Sequence, residues 1–368
     1  MKICYISNSA APSRNASSLQ TAKLCECLST LGHEVKLILP NTGFKYNYFS
    51  FYKIKKKFVL KRVKIFKSFP IGIHYYLYSL ISIFYSDFTN NDLYITRNFF
   101  TSFILSILRK KHIVEIHDDI SIEGRIIKFF IRRFKILNSK HIVKVVTTTN
   151  SLKKRYVSKY KVKSEKVQVL HNASSLLSKF KYSKKLSKKL NIGYFGSIYK
   201  SRGVNFIIHL SNLDKKNKYY IFGGSKEEIE LLKKKHKNKN LTLSPYIPFS
   251  KVEKKLAKID VCLLPYTTKV TVSGNVGDIS KYTSPLKIFD YMITGKLILC
   301  SNLKVIREIL KNNENSLLIN RYNDPKYWLK KINSISRNYQ KYDGIRLKSF
   351  KYANKHNLIW RTKKLLFF

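Results

Sequence analysis

Acidic residues are what this chain has least of for its size: 21 Asp and Glu stand against 72 Lys and Arg, a formal net charge of +51 over 368 residues. Such an excess attracts something anionic, and the candidates are nucleic acid, an anionic membrane or a phosphorylated substrate. Compositional bias toward Lys, Asn, Ile, Tyr and Phe is the competing account of the same charge. Cysteine is also sparse. Cys4, Cys25, Cys27, Cys262 and Cys300 are odd in number and form no C-x-x-C pair. They read as small buried hydrophobes in a reduced cytoplasm, which excludes a disulfide or zinc framework. Long apolar runs are missing too. The opening "MKICYISNS" is too short for a signal-peptide core and reads as a first strand. Residues 68–86 lack Asp, Glu, Lys and Arg and approach the length of a spanning helix. Pro70, Gly72, His74 and the tyrosines at 75, 76, 78 and 85 make that segment a poor hydrocarbon solute, so it reads as a buried or interfacial helix.

What is present fits an α/β chain of two domains. "KICYIS" is a strand, Ser17 and Gln20 suggest a capping box, and Leu24, Cys27, Leu28 and Leu31 recur at helical spacing. Gly32 ends that helix and "EVKLIL" follows, a βαβ start that implies a parallel sheet. "DLYIT", "HIVEIH", "KVVTTT" and "KVQVLH" continue it. The Lys- and Ser-rich stretch 176–189 reads as a linker between a domain of residues 1–175 and a second of 190–345. The second repeats the alternation through "NIGYFG", "KYYIFGG", "LTLSPY", "DVCLLP" and "KLILCS". The tail from 346 to 368 reads as one helix anchored by Trp360. Two doubly wound Rossmann-like units facing across a cleft would bind ligands at strand carboxyl ends. Two basic segments, 53–67 with eight basic residues and no acidic one, and "RIIKFFIRRFK" at 125–135, read as helices suited to an anionic leaflet.

Three loops of the second unit carry the chemistry. After "IGYFG", Gly196 permits a tight turn and Arg202 lies just before a helix. After "YYIF" come Gly223 and Gly224, which allow close approach of backbone or ligand. After "CLLPY" a long loop enters "SPLKIFDYMITGK", where Ser284 reads as an N-cap, Pro285 as the first helical residue and Lys287 as a cation in the first turn. A guanidinium, an ammonium and a helix N-terminus around one point are what a diphosphate needs. Asp290 is placed to accept from a ribose hydroxyl.

The residues "YFGSIYKSRGV", "YYIFGGS", "IDVCLLPY" and "SPLKIFDYMITGKLILCSNLKVIREIL", with "NDPKYW" and the Trp360 helix, resemble the donor domain of retaining GT-B glycosyltransferases of the glycosyl transferase group 1, family 4, type. "LGHEVKLI", "VEIHDD" and "VQVLHNA" fit the same pattern in the first half. The resemblance implies a GT-B fold, a tail that crosses back to the first domain, and metal-independent transfer of a sugar from a nucleotide diphosphate sugar with retention. It implies that Arg202, Lys287, Ser284, Leu286 and Gly196 hold the diphosphate. Asp290, Gly223, Gly224 and Tyr266 would hold the nucleoside, and His117 and Asp290 would be catalytic. No cofactor and no metal are expected.

Two departures stand out. Tyr282 occupies a position where many members carry Glu, and Asp290 stands where the second Glu would be, one methylene shorter. "PSRNASS" at 12–18 replaces a loop in which a Gly pair is common. The expected partners are a nucleotide sugar, a glycan or lipid-linked acceptor in bacterial surface polysaccharide or glycolipid synthesis, and the anionic inner leaflet, with the protein cytoplasmic and peripheral. Nucleic acid is excluded, since no recognition helix or aromatic strand module is present. A catalytically silent GT-B binding partner is the alternative reading.

Overall fold

The computed structural model describes all residues except 42–45, 65–70, 88, 121–123, 184–188, 268–277, 279 and 368. Parts of the basic run, the uncharged segment, the linker and the loop before "SPLK" therefore lie outside the described residues. The chain divides into two compact units, Met1–His171 with Leu358–Phe368, and Asn172–Asn357.

The first unit alternates β1 (Lys2–Ile6), α1 (Ala16–Thr30), β2 (Glu34–Asn41), α2 (Tyr48–Phe51), β3 (Val59–Lys64), α3 (Ile71–Phe84), β4 (Leu93–Thr96), α4 (Phe99–Ile107), β5 (His112–Ile116), α5 (Arg125–Arg133), β6 (Ile142–Thr147), α6 (Asn150–Tyr160) and β7 (Val167–Val169). Its strands form a parallel sheet in the order β3-β2-β1-β4-β5-β6-β7. The central strands are buried along almost their whole length, which is why they read as unbroken apolar runs and not as alternating ones.

The second unit runs β8 (Asn191–Phe195), α7 (Val204–Leu213), β9 (Lys218–Phe222), α8 (Lys226–Lys235), β10 (Leu241–Ser244), α9 (Phe249–Ala257), β11 (Val261–Leu264), α10 (Leu286–Ile293), β12 (Leu297–Ser301), β13 (Leu317–Ile319), α11 (Pro325–Arg337) and α12 (Asp343–Lys355). Its parallel order, β10-β9-β8-β11-β12-β13, reverses direction between β8 and β11. That switch point is where a doubly wound sheet opens a crevice at its carboxyl edge. Both units are parallel doubly wound sheets, the two-domain GT-B architecture expected.

Local structure departs from the sequence reading in four places. The basic run at 53–67 is not a helix: its described part contains β3, the edge strand of the first sheet. Lysines there block pairing of the open edge with another chain, a role that leaves no helical pattern. The Ser17–Gln20 capping box does not form, because α1 starts two residues earlier with Asn15 in the cap position. Pro285, not Ser284, caps α10, and Ser284 makes no cap hydrogen bond. The tail is two helices, α12 and α13 (Leu358–Leu366), broken at His356 and Asn357, and α13 belongs to the first unit. The stretch from Asn172 through Ser183 carries no helix or strand and is held within the second unit, by Leu176 in its core and by the Ser183 amide on Asp343.

The last helix is tied into the first unit by charge as well as by apolar contact. Leu365 and Leu366 join the core built from β1, α1 and β2. Lys144 on β6 donates to the carbonyls of Lys364, Leu365 and Phe367, neutralising the negative end of α13. Glu115, fully buried on β5, accepts from Arg361 at 2.9 Å, Arg97 at 3.2 Å and the Tyr5 hydroxyl at 3.2 Å. Burial alone would raise the pKa of Glu115, but Arg97 and then Arg361 overcome it and hold the carboxyl below the usual range. Arg361→Met removes one partner of a buried carboxylate and is expected to destabilise the first unit by about 3 to 5 kcal/mol in urea denaturation. Adding Glu115→Gln should recover much of that loss. A single variant as stable as the wild type would show that Arg97 suffices.

Candidate active site

Three loops meet at the carboxyl edge of the second sheet, at its switch point. Gly196 follows β8 with φ +141°, and its amide donates to Phe222 at the end of β9. A Cβ on Gly196 would lie 2.3 Å from Lys287 Nζ, and one on Gly223 only 1.8 Å from the Gly196 carbonyl oxygen. Gly223 therefore excludes any side chain, because the loops after β8 and β9 touch backbone to backbone there, while at Gly196 a side chain would meet a strained φ and displace the lysine lying over it.

Lys287, in the first turn of α10, donates to the Tyr194 hydroxyl at 2.9 Å and rests 4.0 Å above the Tyr194 ring. The Tyr266 ring, just past β11, lies 5.8 Å from the Lys287 ammonium and 5.6 Å from the Arg202 guanidinium. The two cations thus share one aromatic platform, an arrangement that lets positive charge stay close together in a dry place. Among the described residues no carboxylate pairs with Lys287. Burial first, and the Arg202 charge second, hold its pKa well below the ordinary lysine range. Burial pushes Tyr266 up to about 12 against the opposing pull of Arg202. Tyr266 itself is buried, at 1% exposure.

One turn further along α10, Asp290 faces the start of the unit's chain. Its carboxylate accepts from the Ser174 hydroxyl, while Asn172 donates to the Ser284 carbonyl at 2.6 Å. Burial raises the Asp290 pKa to about 6, an effect the Ser174 hydrogen bond moderates. Ser284 keeps a buried hydroxyl oxygen with no hydrogen-bond partner among the described residues. Leu286 opens the helix. Gly224, with φ +77°, packs against Ile198.

The structure thus gathers Gly196, Arg202, Gly223, Tyr266 and Lys287, with Ser284, Leu286 and Asp290 on the same short helix and its approach. A cluster of two cations, an orphaned hydroxyl and a helix N-terminus suits an oxyanion. Sequence reasoning missed Tyr194, the direct partner of Lys287, although it stands inside the "YFGS" motif. It also missed Ser174 and Asn172, which were read as lying before or within a linker. Nothing in the sequence marks those two, because their partners are more than a hundred residues away.

His117 lies in the first unit, just past β5. Its Nε2 is buried without a hydrogen-bond partner among the described residues. Burial first, then Arg97 and Arg361, keep the imidazole neutral well below its ordinary pKa, against the pull of Glu115. The neighbouring Asp119 is bound by Arg155 and Tyr160. The 12–18 loop is closed on itself: Ser13 and Ser18 hydroxyls lie 2.8 Å apart, and the Ser13 amide donates to the Tyr52 hydroxyl at 2.7 Å.

Comparison with known proteins agrees with this construction. Residues 189–338 match the family described as Glycosyl transferases group 1, and residues 19–175 match Glycosyltransferase Family 4. No curated protein sequence matches. Among solved structures, the chain is similar to Anabaena Alr3699/HepE in complex with UDP-glucose, at 12% identity and TM-score 0.69, covering 99% of this chain and 98% of that one. It is similar to TarM at 11% identity and TM-score 0.71, covering 100% and 98%. The lipopolysaccharide-biosynthesis glycosyltransferase WaaG aligns at 12% identity and TM-score 0.62, covering 98% of both chains.

The raised pKa of Asp290 has a sign that can be tested. The folded protein binds this proton more tightly than the unfolded chain, so stability should fall as pH rises from about 4 to about 6. Asp290→Asn should remove that slope, a difference on the order of 2 kcal/mol, in denaturant titrations of both proteins at pH 4.5 and 7. Parallel pH profiles would place the Asp290 carboxyl in water.

Proposed function

We propose that this chain, which belongs to the GT-B glycosyltransferases through both of its domains, moves a sugar from a nucleotide diphosphate sugar to an acceptor hydroxyl with retention of anomeric configuration. The observation that carries the reading is Lys287: a largely enclosed ammonium that shares the Tyr266 ring with a guanidinium, with no carboxylate paired to it among the described residues. A site built that way is stabilised by an anion brought from outside.

In this reading Lys287, Arg202 and the amides at the start of α10 hold the diphosphate, with Ser284 donating its unpartnered hydroxyl. As the bond between the anomeric carbon and the β-phosphate oxygen breaks, negative charge grows on the leaving diphosphate. The two cations stabilise it there more than in the ground state, which is what lowers the barrier. The acceptor oxygen bonds to the same face of the anomeric carbon, and its proton leaves with the diphosphate. Two fixed cations take the part a divalent ion would otherwise play, so the reading includes no metal. Asp290, with Gly223 and Gly224 giving close approach, holds the ribose. His117 of the first unit, neutral and with no partner for Nε2 among the described residues, can accept a hydrogen bond from a ligand hydroxyl.

The UDP-glucose bound by HepE supports the donor class, and the role of WaaG in lipopolysaccharide synthesis supports a lipid-linked surface glycan as acceptor. Among the described residues no helix is long and apolar enough to cross a membrane. The protein in this reading works from the cytoplasmic face, held to the inner leaflet by its basic surface.

Thermal denaturation at about 0.15 M salt, where exposed charges are screened, should show one nucleotide diphosphate raising the midpoint well beyond pyrophosphate. A ligand at about 100 times its Kd stabilises by roughly 2.7 kcal/mol. Lys287→Ala should lower transfer or donor hydrolysis about a hundred- to a thousandfold with folding intact, and chelation should leave the rate unchanged. Specific nucleotide binding without turnover of any donor would favour the silent partner instead.

A further inference from the structure

Helix α5 carries apolar side chains on two faces, one buried and one exposed. Ile127 and Ile131 point into the first unit and are buried. Phe129 follows Ile127 by two positions, about 200° around the helix, and is 59% exposed, with Ile126 at 55%. The outward face of a surface helix normally carries only polar groups. Here the two apolar side chains stand among exposed Arg125, Arg132 and Arg133. Phe134, 54% exposed just past the helix, lies 6.5 Å from the Phe129 ring and 5.9 Å from the Phe103 ring of α4. Ile107, one turn beyond Phe103 on α4, is 61% exposed. The patch therefore extends over two helices that pack on each other. From residue 124 to 164 the chain contains no Asp or Glu.

We propose that this α4–α5 face is where the protein lies on an anionic lipid bilayer, with Phe129, Phe134 and Ile126 entering the headgroup–acyl boundary and Arg125, Arg132 and Arg133 meeting lipid phosphates. The proposal rests on the reading of a membrane-bound acceptor and replaces its two basic helices with one defined surface. Rings alone would suit many partners, and arginines alone would suit any polyanion. Apolar groups flanked by cations, in a sequence free of acid from 124 to 164, match the interface of a bilayer, where each basic residue adds to an apolar anchor. Arginine stems lie along that boundary while their heads stay with the phosphates. A duplex nucleic acid would leave Ile107, Ile126 and Phe129 in water. The edge strand β3, basic but paired in part through Lys61 with Asp87, is outside this surface.

The test is co-sedimentation of the full chain with vesicles at about 0.15 M salt, using phosphatidylcholine alone and phosphatidylcholine with a third of phosphatidylglycerol. Binding should need the anionic lipid. Phe129→Ser with Phe134→Ser should lower it about tenfold or more, while Lys61→Gln with Arg62→Gln should leave it unchanged. In Phe129→Trp, emission should shift to the blue on anionic vesicles. Wild-type binding by the serine variant, or an unshifted tryptophan, would overturn the proposal by showing adsorption through charge alone. Nucleotide-induced thermal shift, measured on every variant, reports on folding and on the transferase reading separately.

Discussion

A carboxylate at the centre of a parallel sheet is among the costliest groups a protein can bury, and the first unit is arranged around compensating one. Glu115 is met from three directions: by Arg97 from the end of the neighbouring strand, by Tyr5 from the first strand, and by Arg361 from the last helix. Each partner fixes something else. Arg97 fixes the exit of β4 and Arg361 fixes α13 through a further bond to the His171 carbonyl. Burial first, and then the two guanidiniums, hold His117 neutral at the same strand end. Removing the charge balance at Glu115 would therefore disturb the placement of the last helix and the protonation of the histidine at once.

The second unit shows the opposite condition. Lys287 on α10 and Arg202 ahead of α7 share the Tyr266 face, and Asp290, one turn beyond the lysine, is bonded by a serine. Glu115 in the first unit is balanced inside the fold, whereas no carboxylate among the described residues pairs with Lys287 in the second. Local imbalance of that sort costs stability and is expected where a ligand completes the set.

Much of this was legible from the sequence for definite reasons. Short apolar runs separated by helical spacing gave the parallel sheets, since strands buried on both faces cannot hide their composition. The gathering of Gly196, Arg202, Gly223 and Lys287 at one sheet edge was legible because each follows a strand and precedes or opens a helix. The edge strand β3 was not, because a strand with one free edge and many lysines carries the same composition as a solvated helix. Nor were Ser174 and Tyr194, whose roles depend on partners brought from distant parts of the chain. Ser284 and Pro285 show the limit at a single residue: Ser-Pro signals a helix start, but the cap position shifted by one, and with it the serine hydroxyl was freed.

The Arg361–Glu115 bond joins residues 246 positions apart, with the whole second unit lying between them in sequence. During synthesis the carboxylate emerges long before its second guanidinium. At about 5 to 20 residues per second, that interval is roughly 12 to 50 s. Throughout it the first sheet has lost chain entropy without its final helix, and the underside that Leu365 and Leu366 will cover stands open. The second unit, continuous in sequence, can close on its own within the same period. The half of the protein made first is thus the half finished last.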